Sequence, residues 1–369
     1  MEPNKCLANP RKRPLSRACW LTLALLATAM VLVAGQGCSR GFILLPRAAH
    51  EKTAGVHLEA FPDYLRGFRA EQAGDWEAAR ESYASARELD PDSTTVLTRL
   101  AVSTYEAGKV DEAKPLLAQA EEAARQDPEL AIILARFFDR QKRTDEASRY
   151  YEIAAQRDDL KFAALLDKAR MLEHAGDAKH AEETYLALAE QTGNPKGRII
   201  LGEYYMRGGR YEAALKEFNE TVETQPYVHQ YIAVCQAESG DIDGAIASLE
   251  TYREHNCPTG PTGLPAETPQ ASPVYEAADS VHGGSPWEPF RRVAEIAMSK
   301  NMPAKAVRAL ETAFGCGGDA PELWESLGDA YHALGQDDKA RDAWNKALEK
   351  AAQDGEKDRL RQKLDSLEG

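Results

Sequence analysis

Residues 321–347 read PELWESLGDAYHALGQDDKARDAWNKA. Trp324, Leu327, Gly328 and Tyr331 fall on one face of a helix, and after Gly335 a second helix aligns Ala340, Trp344 and Ala347. Apolar residues recur at helical spacing in both halves, and the small residues stand where two helices must approach closely. The stretch therefore predicts a helix–turn–helix unit with a glycine at the turn.

The same signature recurs upstream. With Gly-x-x-x-x-Ala as the register mark, eight frames can be laid: 60–93, 94–127, 128–161, 162–194, 195–225, 226–256, 287–320 and the unit that opens at Pro321. The fifth is among the clearest, with Leu201, Gly202, Tyr205, Gly209, Ala214 and Phe218 followed by Pro226; the third departs by placing Lys142 where the others have a turn glycine. A glycine or alanine in the middle of the first helix admits the second. A large residue fills the gap between them, the second-helix alanine admits the next unit, and Pro or Asp-Pro ends the frame because proline cannot continue a helix. The residues of the opening stretch, in this order and spacing within a 34-residue frame, resemble a tetratricopeptide (TPR) repeat. That resemblance implies an all-α, right-handed α-solenoid of about eight helix pairs, stable only as a stack because each unit buries half its apolar face. Lys357–Leu367, with Leu360, Leu364 and Leu367 on one side, resembles the solvating helix that caps such arrays.

The period breaks between Cys257 and Pro286, a run rich in Pro, Gly, Ser and Thr that cannot form a helix pair and reads as an exposed insertion. The expected division is a signal peptide or anchor over 1–37, a tether over 38–57, six repeats over 58–256, the insertion over 257–286, two repeats over 287–354 and a cap over 355–369.

The N-terminus carries Lys5, Arg11, Lys12, Arg13 and Arg17, then an uncharged stretch from Ala18 to Ser39. A basic segment before an apolar one reads as an export signal, and this stretch is long enough to span a membrane. Its end, Gly35-Gln36-Gly37-Cys38-Ser39, resembles a bacterial lipoprotein signal with Cys38 as the lipidated residue; Gly35 and Gln36 depart from that family's preference. Three readings stay open: cleavage and lipidation at Cys38, an uncleaved signal anchor, and ordinary cleavage or a chance apolar stretch. In the first two, the basic flank stays cytoplasmic and the rest faces the periplasmic side. With Ser39 after the cysteine, the lipoprotein resemblance implies the outer membrane.

The chain has 43% hydrophobic and 28% charged residues, a globular composition, and a formal charge of -14. An acidic solenoid is a poor nucleic-acid binder, since phosphate contact requires local positive charge. There is no phosphate loop and no His-Glu-x-x-His zinc motif; His174 and His180 are too ill-spaced for a shared metal, and Asp90-x-Asp92 lacks the rest of a calcium loop. No Ser or Cys pairs with a His at informative spacing. The reading is a non-enzyme with no cofactor and no metal. Cys235 falls within a first helix, whereas Cys257 and Cys316 each follow the second helix of a pair flanking the insertion; they are either two free thiols or, in an oxidising compartment, a disulfide.

The TPR resemblance implies a concave groove lined by first helices at frame positions 2, 5, 9, 12 and 13. Carried onto this chain, those positions offer Phe61, Tyr64, Phe68 and Tyr105 at the N-terminal end and Arg136, Arg140, Arg170, Lys196 and Arg207 in the middle. Glu322, Glu325, Asp329 and His332 stand at the C-terminal end. Such a groove suits an extended peptide with an acidic centre, unless the charges are solvated or paired with neighbours such as Asp139 and Glu173. The resulting expectation is a membrane-tethered scaffold that binds extended segments of other proteins in the cell envelope. Alternatives are an accessory subunit of a polysaccharide synthesis or export complex, and a cytoplasmic adaptor if the N-terminal signal is misread.

Overall fold

A computed structural model describes residues 55–191, 193–257 and 285–367. The export signal, Cys38 and most of the insertion lie outside the described residues. Seventeen α-helices and one short 3-10 turn (Pro226–Val228) make up the regular structure of the described residues. The pairs are α1 (Phe61–Gln72) with α2 (Trp76–Leu89), α3 (Thr94–Glu106) with α4 (Val110–Ala124), and α5 (Pro128–Arg140) with α6 (Thr144–Ala154). Next come α7 (Asp158–His174) with α8 (Ala178–Gln191), α9 (Pro195–Arg207) with α10 (Tyr211–Asn219), and α11 (His229–Ser239) with α12 (Ile242–Asn256). Beyond the insertion stand α13 (Glu288–Ser299) with α14 (Pro303–Phe314), α15 (Pro321–Ala333) with α16 (Asp337–Lys350), and the cap α17 (Asp354–Asp365). Each helix packs on the next, and first helices also touch first helices, as α3 does α5 and α11 does α13. This is an α-solenoid.

The turn inside each pair shows why one pattern repeats eight times. The residue that reverses the chain has positive φ in every pair: Gly74, Gly108, Lys142, Gly176, Gly209, Gly240, Asn301 and Gly335. Lys142 holds the left-handed conformation (φ 58) in place of a glycine, at a steric cost, because the stack fixes the turn there. Five residues further on stands the second-helix alanine: Ala79, Ala113, Ala147, Ala181, Ala214, Ala245, Ala306 and Ala340 are all fully buried.

In the first, fifth and eighth pairs a first-helix glycine stands against a large ring of the second helix. A Cβ on Gly202 would lie 2.5 Å from the Phe218 ring, and one on Gly328 would lie 2.3 Å from Trp344. Helix starts are set locally: the side chains of Asp75, Ser93, Asp127, Asn194 and Asp241 each accept a backbone N–H of the first turn. Proline sits in the first turn of α1, α5, α9, α13, α14 and α15, where its missing N–H is harmless.

Two details depart from the expected boundaries. Val56, assigned to the tether, is fully buried with Ala60, Tyr64 and Tyr83. The His57 backbone N–H donates to Asp90 Oδ2 (2.8 Å) and Ser93 Oγ donates to the Gly55 carbonyl (2.9 Å), so residues 55–57 already belong to the first repeat. The cap begins at Asp354, and Leu360 is buried with Leu364 and Leu367 packed beside it.

Candidate functional site on the first-helix face

At the N-terminal end, Arg99 of α3 organises the aromatic residues of α1. Its Nε donates to the Tyr64 hydroxyl (3.0 Å) and its Nη1 to Glu71 (2.8 Å), which also accepts from the Tyr83 hydroxyl (2.7 Å). The guanidinium then lies over the rings of Phe68 (5.0 Å) and Tyr64 (5.8 Å), and Phe61 stacks on Tyr64. Tyr64 is buried, Phe61 half-buried and Phe68 exposed. Of these residues, Phe68 therefore offers the open aromatic surface and the others back it. Tyr105 is half-buried with its ring edge-on to Phe137.

The basic middle is largely neutralised from within. Arg136 Nε donates to Asp167 (2.8 Å) and Arg140 Nε to Glu106 (2.9 Å), and the Arg140 guanidinium also covers the Trp76 ring at 5.2 Å. Arg207 forks onto both oxygens of Glu173 (3.0 and 2.9 Å), which accepts the Tyr185 hydroxyl as well (2.7 Å). These pairs join consecutive first helices, so they stitch the stack instead of standing open for a ligand. Arg170 and Lys196 differ: among the described residues neither has a side-chain hydrogen bond or an ion pair within 4 Å. Arg170 is half-buried and feels the charge of Glu203 on α9.

Glu203 stands at frame position 9 of the fifth repeat, among the groove positions. Burial pushes its carboxyl up, against the Tyr231 hydrogen bond and the charges of Arg207 and Arg170. Glu173 is pulled the other way: burial raises it, but Arg207 and Tyr185 outweigh burial and hold it below the usual carboxylate range.

The acidic C-terminal end is closed by the cap. Arg359 forks onto Glu325 (2.9 and 2.7 Å), and Lys363 reaches Glu325 and both oxygens of Asp329 at 2.7 Å. His332 Nδ1 sits 2.8 Å from Asp337, and Glu322 is exposed. The sequence signal that marks four of these pairs is the period itself. Glu106/Arg140, Glu173/Arg207, Glu325/Arg359 and Asp329/Lys363 are opposite charges 34 residues apart, one frame length.

The structure brings Cys257 and Cys316 together in a disulfide, with Cα atoms 4.8 Å apart. Cys235 is a buried free thiol, pushed up to about 12 by burial and by Glu238. Among the described residues no group of His, Cys, Asp and Glu could hold a metal ion, and no helix is long and apolar enough to cross a membrane.

Comparison with known proteins matches two "Tetratricopeptide repeat" profiles, one over residues 70–137 and one over 134–196 and 201–261. A "Tetratricopeptide repeat-like domain" profile matches residues 291–369. No curated protein matches the chain. Similar solved structures include a tetratricopeptide repeat protein from Parabacteroides merdae (15% identity, 82% of this chain and 96% of that one, TM-score 0.39). The MamA protein is similar at 19% identity over 51% of this chain and 91% of that one, TM-score 0.36. The Cut9–Hcn1 hetero-tetramer of APC/C matches at 14% identity over 78% and 52%, TM-score 0.35. At these scores the assignment rests on the repeat profiles and on the eight equivalent turns, and together they show that the chain belongs to the tetratricopeptide repeat family, whose repeats serve as protein-interaction scaffolds.

Proposed function

We propose that this chain is a non-enzymatic scaffold that captures extended, acidic segments of other proteins along its first-helix face, held to the membrane by its N-terminus on the periplasmic side. The observation that carries the peptide reading is the contrast within one row of cations: Arg136, Arg140 and Arg207 are ion-paired, while Arg170 and Lys196 are not. An unpaired guanidinium that is half desolvated already gains most from a ligand carboxylate, because charge-assisted hydrogen bonds strengthen as water is excluded. Phe68, exposed over Arg99, adds a stacking surface for an apolar side chain toward the N-terminal end. The export reading draws support from the basic-then-apolar N-terminal sequence and from the Cys257–Cys316 disulfide, since such bonds persist in oxidising compartments.

Fluorescence anisotropy with labelled acidic and charge-reversed peptides tests the groove. Arg170→Glu/Lys196→Glu is expected to weaken acidic-peptide binding tenfold or more, whereas Lys216→Glu on the exposed side of α10 leaves it unchanged. Equal loss in both variants would reject the reading. Palmitate incorporation that survives Cys38→Ala would reject the lipid tether.

A further inference from the structure

The junction between α12 and α13 is unlike the others. The link from one pair to the next is as short as residues 125–127 between α4 and α5, but it runs through residues 257–287 between α12 and α13. In a quasi-one-dimensional stack each pair is held by its neighbours alone, so a long link lowers the local concentration of the next pair.

The disulfide sits at this junction. Cys257 is the residue that ends α12, and Cys316 follows α14 by two residues. Both are buried in one core with Tyr252, Phe290, Val293 and Ala313. The same buried apolar core crosses the junction from α11 and α12 to α13 and α14, and Arg292–Glu238, Lys305–Asp243 and Arg308–Glu250 add exposed ion pairs of small worth. The bond thus gives the chain a second, short connection across the point where its own link is longest.

We propose that the Cys257–Cys316 disulfide is a compartment-dependent seal: α13–α17 dock firmly on α1–α12 only when the bond is formed, so the complete first-helix face exists only under oxidising conditions. Formation removes two protons and two electrons from the two thiols and delivers them to an external disulfide oxidant. One thiolate attacks the oxidant to form a mixed disulfide, the second cysteine displaces the oxidant's remaining sulfur, and the oxidant leaves as two thiols. An external dithiol reverses the exchange after the junction opens, because both sulfurs are buried.

Hydrogen–deuterium exchange of the purified full chain tests the seal in three states: oxidised, reduced in mild denaturant with the thiols then blocked, and Cys257→Ser/Cys316→Ser. Loss of the bond is expected to speed exchange in α13–α17 by roughly tenfold or more relative to α1–α12, with α1–α12 within about twofold of the oxidised chain. Unchanged exchange in α13–α17 overturns the proposal. So does an equal acceleration along the whole chain or a loss of helical signal in both bond-free forms, because the seal is assigned to one junction. The result is independent of peptide capture, which the anisotropy measurement reads separately.

Discussion

Glu173 is the acid on which two neighbouring pairs converge, and its removal gives a calculable loss. It accepts the hydroxyl of Tyr185, a fully buried side chain of its own pair, and a two-pronged bond from Arg207 of the next. Glu173→Leu leaves the Tyr185 hydroxyl without its acceptor in a dry site, which costs about 1–2 kcal/mol. The Arg207 side chain is 35% exposed, so its loss counts on the surface scale, about 0.5–1 kcal/mol. The two together predict a destabilisation of about 2 kcal/mol, with Glu173→Gln near half of it because the amide oxygen still accepts from Tyr185. The sign with pH follows from the lowered carboxyl. The charge contributes fully above the unfolded value near 4.3 and is lost as pH falls through the folded value, so wild type and Glu173→Gln converge below about pH 4. Urea denaturation followed by circular dichroism at several pH values measures this. A Glu173→Leu midpoint shift worth under about 0.5 kcal/mol, or a difference that grows on acidification, would refute the reasoning.

Other consequences are as direct. Gly328→Ala drives a Cβ into Trp344 and is expected to cost about 1–3 kcal/mol by overpacking, relieved in Gly328→Ala/Trp344→Leu; thermal melting of both reads it. Lys142→Gly removes the left-handed strain and should raise stability by about 1 kcal/mol in urea denaturation, while Gly335→Ala at the equivalent turn lowers it by a similar amount. Glu203→Gln should stabilise the chain at pH 7–8, since its carboxyl is pushed up by burial and its charge opposes folding there. The gain shrinks as pH falls through the raised folded value, which paired melts at pH 5 and pH 8 will show.

The stack was legible because its physics is periodic. Gly328 against Trp344 and Ala340 against the next helix are forced by helix–helix distance, and eight copies average out local departures such as Lys142. The groove was legible only as residue types. Arg136, Arg140 and Arg207 read either as available cations or as paired with neighbours such as Asp139 and Glu173; Arg207 does pair with Glu173, Arg136 and Arg140 take Asp167 and Glu106, and the 34-residue spacing of Glu106 and Glu173 from Arg140 and Arg207 carried that information. Arg99 escaped, whereas Glu203 was placed at a groove position but not recognised as buried. Arg99 lies between the ligand-facing positions and reaches the face by its length, and Glu203 differs from an ordinary exposed acid through its burial and its Tyr231 hydrogen bond. Docking of Val56 onto the first repeat was illegible, since two or three apolar residues before a helix carry no period.

The central claim is that partners lie along the first-helix face. Photo-crosslinking in cells with a reactive amino acid at Phe68 or Lys196, against Gln119 and Glu183 on exposed second-helix positions, tests it most directly. The account predicts discrete partner adducts from Phe68 and Lys196 that vanish in Arg170→Glu, and none from the other two. Adducts confined to Gln119 and Glu183 would contradict it.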